Sequence, residues 1–167
     1  MTIEYWGEPM ALLPNAEACL RKRYALAVFL LATFSTLARP AVAQSAAFIV
    51  GNDRGGVIGT RAEEVLRLKA ENRRVEMRGG ICLSSCTIYL GAGNVCVSPE
   101  TRFGFHGPSY YGQPLLPVHF EYWSEVLASH FPLAVRQWFF DRARHRTNGY
   151  HTVLGKELIR HGVAACE

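Results

Sequence analysis

The sequence predicts an α/β domain of repeated β-α-β units with its active site at the carboxyl ends of the strands, and three observations carry that expectation. The run AAFIV at 46–50 is apolar without alternation, as in a strand buried on both faces. It is followed by a turn, Gly51-Asn52-Asp53-Arg54-Gly55-Gly56, and then by a helical pattern, so strand, turn and helix form the first half of a β-α-β unit. A second strand, Arg74 to Met77, breaks at Gly79-Gly80 and leads into Ser84-Ser85-Cys86-Thr87 ahead of an apolar helix, which repeats the arrangement. Right-handed crossovers deliver both post-strand turns to one sheet edge, so Gly55-Gly56 and Ser84 are expected as neighbours.

Residues 1–43 read as a processed leader. Arg21, Lys22 and Arg23 form a basic cluster, Ala25 to Leu37 an apolar run, and Ala41-Val42-Ala43 a small-x-small cleavage site, with the cut expected before Gln44. The apolar run falls short of the roughly 20 residues that span a bilayer, so export to the periplasm or medium is expected, without a stable membrane anchor. Met10 offers a second start before the basic cluster. Residues 44–167 then suffice for one domain with one core.

The first helix is expected to be capped by Thr60 with Glu63, a capping box, with Ala62, Val65, Leu66, Lys69 and Ala70 on its inner stripe and Arg61, Glu64, Arg67 and Glu71 in water. The helix opened by Ser84 runs to about Gly91–Gly93. Cys96-Val97 and Arg102 to Phe105 read as a hairpin through Ser98-Pro99-Glu100-Thr101, with His106 at its exit. Pro108 to Pro117 is an irregular loop suited to border a cleft. Helices are expected over 118–130, with Tyr122, Val126 and Phe131 on one side, over 133–144, and around Leu158-Ile159 up to Gly162.

The leader holds four of the 18 basic and three of the 14 acidic residues, leaving a net charge of about +3 with no block of like charge, so nucleic acid is not an expected partner. Cys82, Cys86, Cys96 and Cys166 follow the leader, and an even count in an exported chain favours disulfides, with three pairings open. Zinc held by Cys82, Cys86, Cys96 and a histidine is ranked well below, because the spacing is not that of a standard zinc knuckle. No metal or cofactor is expected. His119, His130, His145, His151 and His161 read as surface or helix-end residues.

A serine on the first turn of a helix sits beside free N–H groups and the positive end of the dipole, which stabilise developing negative charge. Ser84 or Ser85 is therefore a candidate nucleophile and His106 its candidate base. Gly55 or Gly56 and the residue after the nucleophile would supply the two N–H groups of an oxyanion hole, since glycine lets the backbone approach closely. The same serines also read as an N-cap cluster and the glycine pair as a tight turn.

These segments resemble those of the Clp-protease/crotonase superfamily, in particular small exported proteins related to the proteolytic subunit of the Clp protease. Asp53-Arg54-Gly55-Gly56-Val57-Ile58 is similar to that family's Ser-Pro-Gly-Gly-Val-Ile turn, and Gly80-Ile81-Cys82-Leu83-Ser84 to its Gly-x-x-x-Ser turn. Pro99 to Pro108 resembles its Pro-Asn-Ser-Arg-x-x-x-His-x-Pro segment, and Glu157 to Val163 its late helix entering a glycine. The resemblance spans most of 48–163 and implies Ser84 as nucleophile, His106 as base, and the N–H groups of Gly55 and Ser85 as the oxyanion hole. The family's third catalytic residue, an aspartate, would fall near Gly149, where this chain has Asn148-Gly149-Tyr150; Asn148, Asp141 or a main-chain carbonyl would have to take its place. Asp53-Arg54 replaces Ser-Pro, and an upstream strand and helix of the usual fold have no counterpart between Gln44 and the first strand.

The expected function is serine hydrolysis of a peptide or protein substrate, with a homo-oligomer as the family's usual assembly. A decayed binding or scaffold domain of the same fold is the rival from another class. A crotonase-like enzyme of acyl thioesters, using the oxyanion hole without the serine, ranks third.

Overall fold

A computed structural model describes residues 46–146 and 148–167, all within the unit Gln44–Glu167. The leader expected over 1–43 lies outside the described residues. The architecture is mixed α/β. Strands β1 (Phe48–Val50), β2 (Val75–Met77), β4 (Val95–Val97) and β7 (Ala164–Ala165) form a wholly parallel sheet in the order β1-β2-β4-β7. Strands β3 (Ile81–Leu83), β5 (Arg102–Phe105) and β6 (His151–Leu154) form a second sheet, β3 parallel and β6 antiparallel to β5.

The expected hairpin between 96–97 and 102–105 is replaced by a passage from one sheet to the other. Ser98 N–H donates to the Met77 carbonyl at 2.9 Å and Arg102 N–H to the Gly80 carbonyl at 3.0 Å, so both strands follow β2 and β3 in parallel instead of facing each other. Thr101, fully buried, ties the crossing with an Oγ1 hydrogen bond of 2.6 Å to the Gly79 carbonyl. At Gly79 a Cβ would lie 2.2 Å from the Gly51 carbonyl, so the two chains meet there only because glycine is present. Strand β3 itself was not expected from the sequence.

Helix α1 (Ile58–Ala70) begins two residues before Thr60, with Val57 at its N-cap and no side-chain cap. The Val57 carbonyl accepts the Arg61 N–H at 3.2 Å, which puts Thr60 inside the first turn and removes the capping box. The inner face is also rotated by about one residue from the expected stripe. Val65 and Leu68 are fully buried while Leu66 is 60% exposed. Arg61 and Glu64, expected in water, turn inward because the buried Tyr89 offers its hydroxyl to both.

Ser84–Gly91 is a 3-10 helix, and six of its eight residues are buried. Thr87 Oγ1 donates to the Ser84 carbonyl at 2.8 Å, an i to i+3 contact of the kind that favours the tighter winding. Helix α2 (Pro117–Ser129) starts at a proline, which suits the first turn of a helix. Its buried residues are Ser124, Leu127 and Ala128; Tyr122 is 60% exposed. Helix α3 (Leu133–Trp138) widens into a π-helical turn (Phe139–Ala143), and α4 (Gly155–Arg160) ends at Gly162, whose φ of 94 suits only glycine. In β1 Val50 is buried while Ile49, on the opposite face, is exposed, so the expectation of burial on both faces fails.

The core joins Val65 and Leu68 of α1, Val75 and Met77 of β2, Ile88 to Leu90 of the 3-10 helix and Phe103 and Phe105 of β5. Phe105 meets Phe131 and Trp138 edge to face, and Phe131 meets Phe139 in the same way, giving β5 an aromatic support. Disulfides join Cys82 to Cys86 and Cys96 to Cys166, one of the three pairings that the sequence left open, so these thiols are not available to the alternative zinc site. Disulfides fit an oxidising compartment. No helix among the described residues is long and apolar enough to cross a membrane.

Candidate active site

The two turns singled out in the sequence meet. Past β1 the chain runs beside β3, with Asp53 N–H donating to the Ile81 carbonyl at 3.0 Å and Leu83 N–H to the Asp53 carbonyl at 2.9 Å. This pairing sets Gly55 against Ser84. Gly55 has φ +94, and a Cβ on it would lie 2.7 Å from the Ser84 Cβ and 2.9 Å from the Leu83 carbonyl oxygen, so glycine is required twice over.

Ser84 stands at the junction of β3 and the 3-10 helix with φ 57, a left-handed conformation rare outside glycine. The sharp turn leaves its side chain on the cleft, and the Cys82–Cys86 bridge spans it on both sides. His106, immediately after β5, brings Nε2 to 2.8 Å from Ser84 Oγ. β5 lies parallel to β3 with Gly104 opposite Leu83, and this register brings the residues after the two strands together. Burial lowers the His106 pKa, opposed by the polar main chain of Gly107, so the imidazole is neutral near pH 7 and able to accept a proton.

The second serine has a different place. Ser85 is fully buried; its Oγ accepts the Gly56 N–H at 2.7 Å and donates to the Gly56 carbonyl at 3.0 Å. Gly55 N–H donates to Asp53 Oδ1 at 2.7 Å. Both glycine N–H groups expected at an oxyanion hole are therefore already engaged. The Ser85 N–H lies in the first turn of the 3-10 helix, where backbone donors lack partners within the helix.

A network missed in the sequence holds the glycine turn. Asp53 Oδ2 accepts from Arg61 Nη2 at 2.7 Å, Arg61 also donates to the Tyr89 hydroxyl, and that hydroxyl donates to Glu64. Burial opposes charge on Arg61, but Tyr89, Asp53 and Glu64 outweigh it and keep the guanidinium protonated. Burial and the bond to Glu64 push the Tyr89 phenol far above its usual range. The only sequence signal for this network was the Arg61–Glu64 spacing, which reads equally well as an exposed ion pair.

Asn148 is on the rim of the same cleft and exposed, and among the described residues no side chain other than Ser84 hydrogen-bonds His106. Asp141 is exposed on the π-helical turn. The group from this segment that touches His106 is Tyr150, edge to face at 5.2 Å between ring centres. Ser84 and His106 open into a cleft of about 800 Å³, with Trp123, Tyr110 and Tyr111 among its walls. Ser84 and His106 also line a smaller pit of about 50 Å³, whose other walls mix Thr87 and Ser109 with Ile58, Phe105, Leu127 and Phe131.

Among the described residues no cluster of three His, Cys, Asp or Glu side chains is placed to hold a metal ion. No protein-family model matches the chain, and no curated protein matches it significantly.

Proposed function

We propose that the domain is a serine hydrolase of the Clp-protease/crotonase type acting on peptide bonds, with Ser84 as nucleophile and His106 as general base. The observation that carries this reading is the 2.8 Å approach of His106 Nε2 to Ser84 Oγ on a cleft of about 800 Å³. In the reaction Ser84 Oγ attacks the scissile carbonyl while His106 takes its proton; the imidazolium returns that proton to the departing amine, and water, activated by the same imidazole, hydrolyses the acyl-enzyme. The Ser85 N–H would donate to the oxyanion, and the Gly56 N–H would join it once the Ser85 hydroxyl rotates away. His106 works without an orienting carboxylate, and Tyr150 holds its ring.

One rival keeps a specific observation in its favour. Engaged glycine N–H groups and a His106 ring that no carboxylate hydrogen-bonds among the described residues also suit a domain that binds peptides without cleaving them. Labelling of the purified, oxidised protein with a fluorophosphonate decides between them. We expect labelling of the wild type and of Ser85→Ala, and loss of at least about a hundredfold in rate in Ser84→Ala and His106→Ala. A folded wild type that is never labelled refutes the hydrolase and leaves the binding domain.

A further inference from the structure

The cleft carries one permanent charge, and nothing among the described residues neutralises it. Of its lining side chains only Arg54 and His106 are ionisable as cations, and no carboxylate is among them. Arg54 has no salt-bridge partner among the described residues. Its neighbour Asp53, the nearest acid in sequence, is committed on both oxygens, Oδ1 to the Gly55 N–H and Oδ2 to Arg61, at 2.7 Å each. The carboxylate that would ordinarily screen Arg54 is thus turned away from the cleft and already paired. Arg146 adds charge of the same sign, its Nη1 lying 3.8 Å from where a Cβ on Gly149, another lining residue, would stand.

Four aromatic rings stand among the glycines and aliphatic side chains of the other walls. Tyr110 and Tyr111 pack edge to face at 4.9 Å and are 67% and 88% exposed, while Trp123 and Tyr150 face the same space. Such rings cover apolar groups of an extended ligand, and an unscreened guanidinium among them attracts one type of charge.

We propose that Arg54 is a specificity-determining residue that selects peptides carrying a carboxylate on the segment bound beside the Ser84–His106 pair. This rests on the hydrolase reading for the place of the scissile bond, but the recognition itself is a binding event. An acidic side chain and a free C-terminus both present this carboxylate to the guanidinium.

The test is fluorescence anisotropy on the Ser84→Ala protein, which cannot turn substrate over, with His106→Ala as a second inert background. The probes are labelled hexapeptides of apolar and aromatic residues with one position Glu, Gln or Lys, each with a free or amidated C-terminus. We expect the Glu peptide to bind about fivefold more tightly than the Gln peptide, and the Lys peptide more weakly still. The Glu-to-Gln ratio should collapse in Arg54→Gln, persist in Arg54→Lys and shrink with added salt. A preference seen only with free C-termini assigns the carboxylate to the chain end; one kept after amidation assigns it to the side chain. Equal binding of Glu and Gln peptides, a ratio unchanged by Arg54→Gln, or no binding of any peptide at millimolar concentration overturns the proposal. Failure of fluorophosphonate labelling would instead overturn the hydrolase and leave this ratio standing.

Discussion

The two disulfides make unlike contributions. Cys96–Cys166 joins residues 70 apart and fastens the middle of β4 to the residue following its neighbour β7 in the parallel sheet. Cys82–Cys86 joins residues four apart, one in β3 and one in the 3-10 helix, on either side of Ser84. Loop-closure entropy makes the long bridge a device against unfolding, worth about 4 kcal/mol, and the short one worth about half of that. What the short bridge constrains is the conformation of the native turn at the proposed nucleophile, where Ser84 adopts φ 57. One cross-link therefore serves the fold and the other the site.

The sharpest way to break this contrast is to remove each bridge separately. Cys96→Ala with Cys166→Ala should lower the unfolding free energy by about 4 kcal/mol in a denaturant titration, while the fluorophosphonate labelling rate of the folded fraction stays near that of the wild type. Cys82→Ala with Cys86→Ala should cost only about 2 kcal/mol, yet slow labelling of the folded protein about tenfold as Ser84 loses its fixed position. Equal labelling rates for the two double variants would erase the distinction.

Proton titration sharpens it from the site's side. Because burial lowers the His106 pKa, the acid limb of the labelling rate should have its midpoint below the ordinary histidine value of about 6.5. The unfolded chain binds that proton more readily than the folded one, so His106 makes stability fall as pH drops through about 6.5 and lets it recover above. A labelling midpoint at or above 6.5 would contradict the burial argument. The smallest effect belongs to neither region: Glu71→Gln, which breaks the exposed 3.4 Å pair with Arg67, should change stability by less than about 0.5 kcal/mol and labelling not at all.

What could be read from the sequence follows the range of the interactions involved. The strand–turn–helix order and the approach of Gly55-Gly56 to the serines depend on local signals, namely glycine pairs, apolar runs and short turns. The hairpin failed because Ser98-Pro99-Glu100-Thr101 is equally good turn chemistry for a passage between sheets, and only the parallel partners β2 and β3 decide between the two. The rotated face of α1 was hidden because Tyr89, which draws Arg61 and Glu64 inward, lies 28 and 25 residues away in the chain. Choosing between Ser84 and Ser85 needed the resemblance, since their residue type is the same; the structure gives them opposite surroundings, one on the cleft and one sealed beneath Gly56. Asn148 was chosen for its place in sequence, but a side chain on a rim turn is aimed by that turn, and here Tyr150 meets the imidazole.

Strands β6 and β7 belong to different sheets, yet they are separated only by α4. Neither sheet can close until residues 151–165 have been synthesised, so a growing chain must remain open past most of its length. When the reduced chain meets oxidant, the cysteine pairs compete by the length of loop each must close. The adjacent pair has the shortest loop to close and is already the native one, which leaves Cys96 waiting as a thiol for its distant partner. Oxidative maturation thus has a built-in order: the turn around Ser84 is locked first, and the sheet is sealed last.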